Sequence, residues 1–136
     1  KKIHVYGIDI NNKQKINKTI NEIFKKYQFS SFDLIIDDGS HNLSDILFSL
    51  NYFFKYVKES GIFIIEDFKH PNYYRYNRNI DHILVDEFLK NLKNKKISNS
   101  SIINNDNQKN LIDLIKSIDI GKGNLKDSDI CFIKKK

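Results

Sequence analysis

Two short stretches of this chain carry residues able to do chemistry. They are Phe32 to His41, reading Phe-Asp-Leu-Ile-Ile-Asp-Asp-Gly-Ser-His, and Gly61 to Asp67, reading Gly-Ile-Phe-Ile-Ile-Glu-Asp. In each, an apolar run stops abruptly at a pair of acids. Carboxylates grouped with a histidine can hold a hard cation and move a proton, provided the fold brings them together. The runs Leu34 to Ile36 and Ile62 to Ile65 lack the polar alternation of a half-exposed strand, which predicts strands covered by helices on both faces. In an open parallel sheet the carboxyl ends of neighbouring strands form the crevice where ligands bind. The reading therefore delivers Asp37, Asp38, Glu66 and Asp67 to one place.

The elements that must position these residues alternate between strand and helix, the pattern of an α/β domain. Ile3 to Ile8 reads as a first strand, and Ile16, Ile20, Ile23, Phe24 and Tyr27 recur at helical spacing between Asn12 and Tyr27. After His41, the positions Leu43, Ile46, Leu47, Leu50, Phe54 and Val57 trace a second apolar stripe, with Asn42 and Asp45 as capping residues at its start. Ser60-Gly61 is expected to end that helix and launch the next strand. Lys69 to Asn79 reads as a loop over the crevice. A third helix is expected from Asp81 to about Leu92, then a polar linker through Asn105, and a short helix or strand near Leu111 to Ile118. Gly121-Lys122-Gly123 marks a turn, and Asp129 to Lys134 a last strand that closes the sheet edge with an antiparallel pair.

Composition bounds the function. The 136 residues suffice for a single domain with its own core, read as spanning 1–136. No apolar run reaches the roughly 18 residues of a membrane span, and the N-terminus lacks a signal-peptide core, so the expectation is a cytoplasmic protein without a membrane partner. The lone Cys131 lies in an apolar alternating segment and reads as a buried, reduced thiol. The formal charge of +6 comes from lysines scattered among abundant Asn and Ile, without a basic helix or an arginine-aromatic platform. That argues against nucleic acid and remains compatible with an anionic substrate such as a nucleotide-linked or phosphorylated sugar.

The Asp-Asp-Gly-Ser-His motif after an apolar strand, the helix that follows, the Gly-led strand ending Glu-Asp, and the terminal Ile-Cys-Phe-Ile-Lys together resemble the class I S-adenosylmethionine-dependent methyltransferases. Among these they look most like the metal-dependent macrocin and mycinamicin type sugar O-methyltransferases and their cephalosporin hydroxylase relatives. The resemblance spans Ile3 to Lys134 and is strongest between Phe32 and Asp67. It implies a Rossmann-like, mostly parallel sheet with helices on both faces and an antiparallel C-terminal strand. It also implies that S-adenosyl-L-methionine and Mg2+ are the cofactors, and that a sugar or glycoside is the substrate.

Carried over by position, the resemblance assigns the metal to Asp38, Glu66 and Asp67 and the general base to His41. The independent chemistry agrees, since hard cations take several carboxylate oxygens and keep positions open for substrate hydroxyls. Asp37, Gly39 and Asp9 are the expected cofactor contacts. One departure concerns the family's first strand and its glycine-rich loop, which have no counterpart here. Gly7-Ile-Asp9 aligns either with the family's second strand, making Asp9 the ribose-binding acid, or with its third, placing Asp9 near the adenine; spacing favours the third. The chain accordingly reads as an N-terminally shortened methyltransferase domain. A catalytically inactive binding module and a metal-dependent carbohydrate-modifying enzyme without a methyl donor are the alternatives, and self-association is left open.

Plainer readings stand beside each assignment. Asp37 and Asp38 also suit a turn before Gly39, Glu66 and Asp67 could end a strand in solvent, and His41 could be a structural hydrogen-bonding residue. His70 and His82 default to the surface. Tyr73, Tyr74, Arg75, Tyr76 and Arg78 fit either a substrate lid or an ordinary loop.

Overall fold

The computed structural model describes residues 3–10, 12–74, 77–124 and 128–136, with backbone alone at 78 and 79. The chain divides into two compact units, 1–31 and 32–136.

In the first unit, helix α1 spans Lys13–Tyr27. The Asn12 side chain accepts a hydrogen bond from the Lys15 N–H at 2.9 Å, satisfying one of the free donors of the first turn. Gln28 closes the other end in the left-handed conformation, with Lys25 and Lys26 in the last turn, where cations complement the helix dipole. The expected strand at Ile3 to Ile8 is not formed, and Ile3 and Val5 are almost fully exposed. Instead His4 and Tyr6 lean on the helix end, the Tyr6 hydroxyl lying 3.0 Å from that of Tyr27.

The second unit is built on a four-stranded sheet of order β1-β2-β4-β3. Its strands are β1 (Phe32–Asp37), β2 (Val57–Ile65), β3 (Ile115–Gly121) and β4 (Ile130–Lys135). β1 and β2 run parallel, joined through α2 (Leu43–Phe53), while β4 lies antiparallel to both β2 and β3. Phe63 and Ile65 of β2, Ile118 of β3, and Cys131 and Ile133 of β4 point into one core. Against them pack Leu43, Ile46, Leu47 and Leu50 of α2 together with Val85, Phe88, Leu89 and Leu92 of the helix Val85–Lys93. Each such side chain contributes roughly 1.5–3 kcal/mol by leaving water. Burial pushes the Cys131 thiol up to about 12, as a buried and reduced cysteine requires.

The two apolar runs behave differently from the expectation of cover on both faces. Leu34 and Ile36 are 46% and 51% exposed, and in register with them Ile62 and Ile64 are only partly covered. Within this unit the helices occupy one face of the sheet, so the continuous apolar run describes a strand whose second face carries no helix of its own. Ser60-Gly61 does not launch β2 but lies inside it: the register jumps from Phe32↔Val57 to Leu34↔Ile62, and Lys58, Glu59 and Ser60 bulge outward. Ser60 takes a φ of 61° to make that bend.

Beyond the motif, Lys69 to Asn79 is less of a loop than its composition suggests, containing the 3-10 turn His70–Tyr73 and the short helix Asn77–Ile80. Asp81 does not begin the third helix. It is buried, and its carboxylate accepts from the Ser100 hydroxyl at 2.5 Å and from the N–H groups of His82 and Ser101 at 2.7 and 2.9 Å. Gln108, on the helix Asn105–Leu114, bonds the backbone of Ser98 and Ile103, so the polar linker is tied down at both ends. The segment near Leu111 to Ile118 resolves into the end of that helix and the start of β3. Among the described residues, no helix is long and apolar enough to cross a membrane.

Gly61 has no room for a side chain. A Cβ there would lie 2.8 Å from Val57 Cγ1 and 2.9 Å from the Asp33 carbonyl oxygen on the adjacent strand. Gly61→Ala is therefore expected to lower the unfolding free energy by roughly 1–3 kcal/mol, as overpacking does, measured by urea denaturation; an unchanged midpoint would show that the bulge absorbs the methyl group.

Candidate active site

The parallel ladder brings the two motifs together at the carboxyl ends of β1 and β2. Asp37 pairs with Ile65, and one step beyond the ladder the Glu66 N–H donates to the Asp37 carbonyl at 3.0 Å. Both acid pairs thus leave the sheet at the same level. The chain after each then turns sharply, His41 with a φ of 54° and Asp67 with a φ of 49°. Left-handed backbone is uncommon for residues other than glycine, and at a strand end it redirects a side chain that would otherwise follow the sheet.

These turns aim His41 between two carboxylates. Its Nε2 lies 3.6 Å from Asp38 Oδ1 and 4.0 Å from Asp67 Oδ2. His41 is 23% exposed, against 61% for Asp38 and 40% for Asp67, so the imidazole is the sheltered member and the carboxylates remain open to solvent. The turn before His41 is held by the Ser40 hydroxyl, which donates to Asp45 Oδ2 at 2.5 Å and accepts from the Asn42 N–H at 3.3 Å. Asp45 serves this turn instead of capping α2, and Asn42 caps the helix without a side-chain hydrogen bond to it.

Asp37 is half-buried beside α2. Burial raises its carboxyl pKa, while donors on Ser49 of α2 and on the Gly39 backbone, and then His41, pull it back. Its Oδ2 is buried and has no hydrogen-bond partner among the described residues. Gly39 is exposed, and a Cβ there would lie 3.3 Å from Asp37 Oδ1. Glu66 is half-buried, and its carboxylate is not among the groups within 4.0 Å of His41. Asp9 belongs to the first unit, where it is exposed and its carbonyl accepts from the Asn12 N–H at 3.0 Å ahead of α1.

His70 is the residue sequence reasoning set aside. It is half-buried, with its ring centroid 5.9 Å from that of His41, its Nε2 3.5 Å from the Tyr74 hydroxyl, and its N–H bonded to the Asp67 carbonyl at 2.8 Å. The available signal was its place one turn after Asp67, just ahead of the helix-starting Pro71. His82, by contrast, is exposed as expected. Tyr73 and Tyr74 are exposed, whereas Arg75, Tyr76 and the Arg78 side chain lie outside the described residues. A cavity of about 520 Å³ lined by Asn51, Tyr52, Lys55, Asn107, Asn110 and Asp113 opens at the opposite end of the sheet, where β2 and β3 begin.

The donor chemistry suits a hard divalent cation, since every acid at these strand ends offers carboxylate oxygens. As they stand, Asp38 and Asp67 flank His41 and Glu66 does not join them, and among the described residues no three His, Cys, Asp or Glu side chains form a ready metal cage.

This arrangement is the Rossmann-like fold of the class I methyltransferases, with a parallel pair at the motif strands and an antiparallel C-terminal strand. Solved structures that share it include those of MycE, a methyltransferase from the mycinamycin biosynthetic pathway. A crystal form with Mg and SAH superposes with a TM-score of 0.56 at 20% identity, covering 96% of this chain and 31% of that one. The complex with Mg, SAH and mycinamycin VI gives 0.56 at 19% identity, with the same coverage. The chain thus corresponds to about a third of MycE. No family model matches it, and no curated protein does.

Because ionising Asp37 is disfavoured in the fold, its penalty is absent below the ordinary value of 3.8, grows as pH rises through the raised folded value, and is constant beyond it. Asp37→Asn should consequently be more stable than the parent at pH 7, the gap closing as pH falls through the carboxylate range. Denaturant titrations across that range test this, and a gap independent of pH would refute it.

Proposed function

We propose that this chain carries the cation-binding and proton-accepting part of an S-adenosylmethionine-dependent, Mg2+-assisted O-methyltransferase whose acceptor is a hydroxyl of a sugar or glycosylated small molecule. The observation that carries the reading is His41 Nε2 set between Asp38 and Asp67 at the ends of two parallel strands. MycE, which shares the fold, was solved with Mg and SAH. Bound, magnesium lowers the pKa of an acceptor hydroxyl and S-adenosylmethionine supplies the methyl group.

The chain's own residues have distinct tasks. Asp38, Glu66 and Asp67 would hold the cation through their carboxylate oxygens. His41 takes the acceptor's proton at Nε2, and the two flanking carboxylates stabilise the imidazolium that results. Asp37 and Gly39 contact the cofactor. The protein acts on a small molecule, without nucleic acid or membrane as partner, and works in the cytoplasm.

One observation favours a second reading. The chain matches only 31% of MycE, and a binding module without turnover is the reading that this partial match favours.

Calorimetric titration with S-adenosylmethionine, with and without Mg2+, separates the two. The methyltransferase reading expects saturable binding that Mg2+ strengthens; absence of cofactor binding favours the module. Asp38→Ala and Glu66→Ala are each expected to abolish Mg2+ binding, and retained affinity in both variants would sink the cation assignment.

A further inference from the structure

We propose that Asp129 is a positioning residue for the Asp67 carboxylate, acting through Lys69; the proposal rests on the reading of Asp67 as a cation ligand. Asp129 stands immediately before β4, is 5% exposed, and its Oδ2 pairs with the Lys69 ammonium. The antiparallel register runs Ile64↔Phe132 and Ile65↔Cys131, so the chain entering β4 lies at the end of β2 from which Asp67 emerges. Lys69, two residues beyond Asp67, ties the two segments together through its ammonium.

The backbone between them makes the pairing consequential. Asp67 has a φ of 49°, the His70 N–H closes onto its carbonyl at 2.8 Å, and the Asn72 N–H bonds the Lys69 carbonyl at 2.9 Å as the next turn begins. A residue held in left-handed backbone persists where its surroundings over-determine it. Here the surroundings include two anchors on consecutive residues. Phe68 is fully buried in the core, and Lys69 is tied to Asp129 on a neighbouring strand. Phe68 fixes the depth of the turn, and the Lys69–Asp129 pair fixes its rotation. That rotation decides whether Asp67 faces His41.

Asp129→Asn keeps the shape and removes the charge, leaving Lys69 free to reach solvent; Lys69→Arg retains the pair. Two quantities are measured: Mn2+ affinity by calorimetry, and the amide exchange rate of His70 relative to Phe63 to Ile65 of β2, a ratio that general loosening of the fold does not change. Asp129→Asn should weaken Mn2+ binding about tenfold, as loss of a ligand-orienting partner does, and raise the exchange ratio, while Lys69→Arg matches the parent in both. An unchanged ratio overturns the proposal, and so does a raised ratio with unchanged affinity. Should the parent chain bind no Mn2+, the cation assignment fails by itself, and the exchange ratio alone decides whether Asp129 holds the turn.

Discussion

The pairing of β2 on both edges is the constraint from which the site follows. Parallel to β1, it brings Glu66 and Asp67 level with Asp37 and Asp38; antiparallel to β4, it receives the chain's last strand at the same end. A parallel pair needs a crossover, and α2 supplies it, burying Leu43, Ile46, Leu47 and Leu50 against the sheet. The crossover begins at the motif itself. Hence the residues that start α2 are also those that place His41, and packing and chemistry share the turn from Asp38 to Asn42.

The main elements of this design were legible in the sequence because their signals are local and strong. Apolar runs ending in paired acids located β1 and β2, the 3.6-residue stripe located α2, and the alternation around Cys131 located β4. Less legible were features decided by partners distant in the chain. Nothing local distinguishes a run covered on both faces from one covered on a single face, so the exposure of Leu34 and Ile36 was invisible. Ser60-Gly61 carries a turn signal, and the structure spends it on a bulge within β2. Asp81 has the look of a helix start, yet its partners are Ser100 and Ser101 in a linker whose composition alone suggests no structure.

The candidate site divides in the same way. Which acids lie near one another follows from topology, and topology was readable. How each side chain points follows from φ values at His41 and Asp67, from Ser49 beneath Asp37, and from the turn that draws His70 in beside His41. None of these has a composition signature, since a left-handed histidine looks in sequence like any other. Fold similarity to MycE supports the architecture at 20% identity and leaves the roles of individual residues to chemistry and experiment.

Those two left-handed residues carry a consequence for how the chain could change. At both positions glycine would adopt the backbone with less strain, so improvement of folding stability alone would erase the imidazole and one of its carboxylates. Holding a histidine and an aspartate there sets the interests of the site against those of the fold. The motif turns are where the protein trades folding stability for reactive side chains, and screens for hardier variants would tend to disarm it at these turns first.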